Sequence, residues 1–201
     1  MRAGGVMIIV GPSILTACAG IKGPPAATAD ARGPSHAVAR DTGPGDVWVS
    51  PADTRILSIL HANNQELVRL GQLAAERAVS EDVRRFGEML IREHSESDME
   101  VQRAAEVVGV TLMRPRDIRE MLAREKGESM VFDVGRELDA LKGPAFDQTF
   151  ARRMVEGHRE TLRVLERARP DAESAEVGAI ADRTLRSLRE HLRGAVALAG
   201  R

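Results

Sequence analysis

The chain has 201 residues, 43% apolar and 29% charged, a globular balance rather than a disordered one. A formal net charge of -1 excludes the bulk positive field that nucleic-acid binding draws on, and a content of no Tyr, one Trp and four Phe excludes a base-stacking platform. The lone cysteine, Cys18, excludes an internal disulfide and any Cys-based metal site.

Residues 1–18 read MRAGGVMIIVGPSILTAC. Arg2 supplies a minimal positive start, and Val6 to Leu15 form a short apolar run interrupted by Gly11, Pro12 and Ser13. The run is too short to cross a bilayer as a helix. Its end, Leu15-Thr16-Ala17-Cys18, resembles the lipobox of bacterial lipoproteins, in which an aliphatic residue and two small residues precede the cysteine that is lipidated. The competing reading is a buried cysteine in an uncleaved apolar segment; the position of Cys18 directly after the apolar run favours the lipoprotein. Ala19, rather than Asp, follows the cysteine, which by enterobacterial sorting rules points to the outer membrane. The membrane, reached through a lipidated N-terminus, is thus the one partner expected; a protein partner is unknown. Residues 19–50 are dominated by Gly, Pro and Ala and lack apolar periodicity, which predicts a flexible tether with a root-mean-square span of roughly 30 Å.

From Ser50 onward the apolar pattern becomes helical, predicting a bundle domain over 51–201. Ser50-Pro51-Ala52-Asp53 gives an N-cap, a proline at the first helical position and an early acid. Ile56, Ile59, Leu60, Leu67, Leu70, Leu73 and Ala74 mark the face of a first helix over about 51–78. Ser80-Glu81-Asp82 starts a second, with Val83, Phe86, Leu90, Val101, Ala105 and Val108 on its stripe and Gly109 as its stop. Short helices are predicted at 115–126, closed by Gly127, and at 136–142, closed by Gly143. Pro144 opens a third long helix bearing Phe146, Phe150, Met154, Leu162 and Leu165, ended by Pro170-Asp171. The fourth carries Val177, Ile180, Leu185, Leu188, Leu192, Ala195 and Leu198. Two short turns and one connection of roughly 34 residues describe an all-α, ferritin-like four-helix bundle: two antiparallel hairpins joined by a long crossover.

Three of the five histidines, His94, His158 and His191, fall on predicted core stripes, and Glu66 is the matching polar residue of the first helix. Facing residues of an antiparallel hairpin lie equidistant from the turn. Glu66 and His94 have their midpoint at residue 80, and His158 and His191 between 174 and 175, so the four are expected in one layer. His61, about 140° around the helix from Glu66, is expected to be peripheral. Pairs such as Arg92-Glu93 read as solvated flanks. One carboxylate with three imidazoles suits a single Fe, Mn, Zn or Cu ion; the competing reading is a hydrogen-bonded polar layer that sets helix register.

At these residues the chain resembles the ferritin-like "domain of unknown function 4142" group of bacterial envelope proteins. The matching elements are NNQELVRLGQLAAERA at 63–78, FGEMLIREHSES at 86–97, FD at 146–147, MVEGH at 154–158 and REHL at 189–192. The resemblance implies the bundle and an envelope location but no reaction. Di-iron ferritins carry Glu-x-x-His on two helices. Here Ile91 and Leu188 stand three before His94 and His191, and His158 stands where a Glu is expected, so any site is expected to be mononuclear. Three function classes follow: a metal-binding envelope protein for storage, buffering or stress protection; a non-catalytic tethered interaction module; and, least supported, an enzyme, since no nucleophile elbow, phosphate loop or HExxH motif is present.

Overall fold

A computed structural model describes residues 49–125 and 134–200. Cys18, the lipobox-like segment and nearly all of the expected tether lie outside the described residues, as does Gly127. The helices are α1 (Pro51–Arg77), α2 (Glu81–Val107), α3 (Pro115–Arg124), α4 (Val134–Asp139), α5 (Gly143–Ala168) and α6 (Ala175–Ala199), with a 3-10 turn at Arg169–Asp171. No strand occurs among the described residues, and no described helix is long and apolar enough to cross a membrane.

The helix ends follow local chemistry. Ser50 Oγ accepts from the Asp53 amide at 3.1 Å, closing the first turn of α1 on the residue before Pro51. Gly109 ends α2 at φ 71, and the Val110 amide reaches back to the Ala105 carbonyl at 2.8 Å, a left-handed stop that needs no side chain at 109. Gly143 departs from expectation: at φ 61 it opens α5 rather than closing the preceding helix, and α4 ends earlier, at Asp139. Leu138 explains the earlier placement of α4, since it is fully buried against Phe146 and Phe150.

The hairpins are α1–α2 and α5–α6, and α1 also packs on α5 and α2 on α6. Near its turn the first hairpin is drawn tight by glycine. A Cβ on Gly71 would lie 2.6 Å from the Gly87 carbonyl oxygen, and one on Gly87 2.7 Å from Ala74 Cβ. The two hairpins cap each other. Asp53, buried at the start of α1, accepts from the amides of Glu173 and Ser174, both at 3.0 Å, in the α5–α6 turn. Asp147, near the start of α5, accepts from Val79 at 3.3 Å and Ser80 at 2.7 Å in the α1–α2 turn. Each acid satisfies backbone donors at and just before the N-cap of the partner hairpin's second helix; Ser174 also caps α6 through its hydroxyl, whereas Ser80 makes no side-chain cap bond.

The crossover lies along α1. Ile118 and Leu122 of α3 are fully buried against Ile59, Ala62 and Val164. The Met113 amide donates to the buried Ser58 hydroxyl at 2.9 Å, and Arg55 grips Glu125 with both terminal nitrogens. The bundle core itself is in two parts. One contains Leu60, Val101, Leu162 and Leu188; the other contains Leu67, Leu90, Met154 and Ala195. On every long helix, the residues that divide them are polar.

Candidate metal centre

The dividing layer is built by heptad spacing. On α1 the buried stripe runs Ile56, Leu60, Asn63, Leu67, Leu70, Ala74. On α2 it runs Leu90, His94, the half-buried Ser97, and Val101; on α5 Met154, His158, Thr161, Leu165; on α6 Leu188, His191, Ala195. Steps of three and four keep each of these side chains on the inward face. His94, His158 and His191 are 3%, 1% and 5% exposed, and their rings stand edge to face at centroid separations of 5.1, 5.7 and 6.5 Å.

Each ring has one nitrogen engaged. Asn64 Nδ2 donates to Ser97 Oγ at 3.1 Å, which turns the Asn64 carbonyl oxygen to His94 Nδ1 at 2.8 Å. His158 Nδ1 lies 2.8 Å from the Met154 carbonyl, and His191 Nε2 lies 2.8 Å from Glu93 Oε2. All three partners are acceptors, so the engaged nitrogen of each ring carries the proton. In the neutral ring the other nitrogen, His94 Nε2, His158 Nε2 or His191 Nδ1, carries the lone pair, and among the described residues none of the three has a hydrogen-bond partner. One ring nitrogen from each histidine lies within 4.8 Å of the others. Bonds of about 2.0–2.1 Å to a shared ion would bring nitrogens to about 3.4 Å apart, so closure requires ring movements of about an ångström.

Burial keeps two of these rings, His94 and His158, neutral. It pushes His94 well below the ordinary histidine value, helped by the nearby His191 and His158. Burial lowers His158 from 6.5 to about 4, partly opposed by the Met154 carbonyl, which favours the protonated ring. Neutral imidazole is the form that coordinates a metal. A groove of about 420 Å³ between α2 and α6 opens onto the layer, lined by Glu93, His94, Ser97, Arg183 and His191 among others.

The structure brings together three of the four expected residues. Glu66 stands apart, partly buried, with its carboxylate held by Arg69 Nε at 3.0 Å and Nη2 at 2.6 Å. The Arg69 guanidinium lies directly on Gly135, where any Cβ would fall 1.8 Å from Nη2, so Glu66 serves the seat of the crossover. The α1 residue on the inward stripe is Asn63, three positions earlier. Its neighbour Asn64 is the one that meets His94. The gaps of three and four from Leu60 through 63 to Leu67 are the signal in the sequence that marks this position. Glu93, read as a solvated flank, is partly exposed yet its carboxylate reaches His191. His61 lies outside the layer, paired with Asp98 at 2.7 Å.

The chain belongs to the family described as "Domain of unknown function (DUF4142)", whose model matches residues 40–198. No curated protein matches the chain in sequence. Among solved structures it is similar to a DUF305 protein from Streptomyces coelicolor whose description calls it secreted, with a TM-score of 0.61 and 15% identity over 73% of this chain and 91% of that one. It is also similar to CopM in its Cu(II)-bound form, with a TM-score of 0.55 and 14% identity over 74% of this chain and 95% of that one. At these identities the likeness is one of fold.

Proposed function

We propose that this DUF4142 member binds one divalent first-row transition-metal ion through His94 Nε2, His158 Nε2 and His191 Nδ1, and that it serves metal storage, buffering or stress protection in the bacterial envelope. The observation that carries the reading is the set of three buried imidazoles, each with one unpartnered nitrogen, that bring one ring nitrogen apiece within 4.8 Å of the others. A layer evolved only to fix helix register would pair these atoms, because each buried group left unsatisfied costs about 1–3 kcal/mol. Instead Asn64, Met154 and Glu93 hold the three protons outward, as carbonyl and carboxylate partners do behind metal-bound histidines.

Three neutral nitrogen ligands favour copper or zinc over manganese and iron, which gain more from carboxylates. The similarity in fold to CopM, a protein seen with Cu(II), is compatible with that choice. The lipobox-like ending at Cys18 and the secreted description of the DUF305 neighbour support an extracytoplasmic, lipid-anchored setting, with the outer membrane favoured by Ala19. Calorimetry and elemental analysis of the full chain carrying Cys18→Ser test the site without a competing thiol. One equivalent of copper or zinc is expected, lost in His94→Ala. Failure to retain any metal would leave the layer as a register device and the interaction-module reading ahead.

A further inference from the structure

Among the described residues, four buried side-chain nitrogens or oxygens lack a hydrogen-bond partner: the three imidazole nitrogens and Asn63 Nδ2. All four belong to one layer. Asn63 is 2% exposed and occupies the α1 position of that layer, beside Asn64, which meets His94. Its carbonyl oxygen accepts from the Thr161 hydroxyl at 3.1 Å, one turn beyond His158. With the oxygen so engaged, the amide's two N–H bonds are left without an acceptor. Three orphans are electron-pair donors; the fourth is a proton donor.

A metal ion satisfies the three lone pairs but not Asn63, because an amide nitrogen has no lone pair to coordinate with. What satisfies both is an atom that gives one electron pair to the metal and accepts a hydrogen bond with another. Histidines from α2, α5 and α6 supply three ligands, and a site with three protein ligands keeps a fourth position for an outside one. The helix that supplies no histidine is α1, and it supplies Asn63. We propose that the metal's fourth position takes a small exogenous anion, of the size of hydroxide or azide, held by a hydrogen bond from Asn63 Nδ2. The groove between α2 and α6, about 420 Å³ in volume and opening onto His94 and His191, gives such an anion a way in. This proposal rests on the metal reading above and adds a ligand class to it.

The test uses the full chain carrying Cys18→Ser, loaded with one equivalent of Cu(II) and titrated with azide, with the azide-to-copper charge-transfer absorption as readout. Copper affinity is measured separately by calorimetry. The wild-type site should bind one azide. Asn63→Leu should keep its copper within a few-fold while azide affinity falls by about ten- to a hundredfold, the range for a hydrogen bond to a charged group. Asn63→Asp, which preserves shape, should bind copper more tightly and lose azide, because the carboxylate takes the fourth position itself. Helical circular dichroism checks that each variant folds; if Asn63→Leu does not, Asn63→Asp decides. Unchanged azide affinity in Asn63→Leu would overturn the proposal. So would a collapse of copper affinity as large as that of His94→Ala, which would make Asn63 a direct ligand through its oxygen. A copper-loaded wild type that ignores azide overturns this proposal alone, whereas a protein that takes up no copper removes the metal reading beneath it.

Discussion

Acidification of the metal-free protein tests whether His158 and His94 are buried in the neutral form. His158 is held at about 4 in the fold by burial, against an ordinary value of 6.5, so below pH 6.5 the unfolded chain binds a proton that the native state refuses. Stability rises with pH wherever the unfolded state carries more protons. The contribution of the neutral His158 is therefore fully present above pH 6.5 and is lost progressively as pH falls toward 4. At pH 5 the loss from His158 alone is about 2 kcal/mol, approaching about 3 kcal/mol at lower pH. His94, also held down by burial, adds loss in the same direction. The carboxylates lowered by ion pairs, such as Glu125 beside Arg55 and Asp182 beside Arg169, lose their contribution only below the ordinary carboxylate range. The assay is urea unfolding at pH 7 and pH 5 in a chelator, for wild type and His158→Leu. The wild type should lose about 2 kcal/mol more than the variant over that interval. Equal losses would show that His158 is not buried neutral and would undo the lone-pair argument for the layer.

Other expected outcomes test different joints. Gly87→Ala forces a Cβ within 2.7 Å of Ala74 Cβ and 2.8 Å of the Gly71 carbonyl oxygen, and should lower stability by about 1–3 kcal/mol in denaturant titration. Asp147→Ala strips the Val79 and Ser80 amides of their acceptor and should cost about 1–3 kcal/mol, read as a lowered thermal midpoint. Glu93→Gln weakens the hold on the His191 proton and should reduce metal affinity about 10–100-fold by calorimetry with the fold intact. Cys18→Ser should abolish fatty-acid labelling and release the protein from the membrane fraction; unchanged labelling would contradict the lipid anchor.

The helices were legible because their signals are local. Ser50-Pro51, Gly109 and the three-four spacing of Leu and Ile each act within a turn or two of chain. The convergence of His94, His158 and His191 was legible for a related reason: each replaces an apolar residue on a stripe that must face inward. Glu66 shows where that reasoning fails. Equidistance from the turn measures depth along the bundle but not angle around the helix, and Glu66 has the right depth while sitting off the stripe that Asn63 occupies. Gly143 shows a related limit, since a left-handed glycine can close one helix or open the next, and the sequence around it carries no signal for which. The proton holders Asn64 and Glu93 depend on reach between helices, so no spacing along one helix marks them. The reciprocal caps of Asp53 and Asp147 are of the same kind. Asp53 looks like an ordinary first-turn acid and Asp147 like a polar residue early in its helix, and the partner turn of each lies at least 67 residues away.

The central claim is that three imidazoles from three helices hold one metal ion inside the bundle. Anomalous diffraction from crystals of the copper- or zinc-loaded protein, collected on both sides of the metal's absorption edge, tests it most directly. One peak is expected inside the bundle, about 2 Å from His94 Nε2, His158 Nε2 and His191 Nδ1 together. A loaded crystal with no peak there, or with its metal only on surface carboxylates or on His61 and Asp98, would contradict the account.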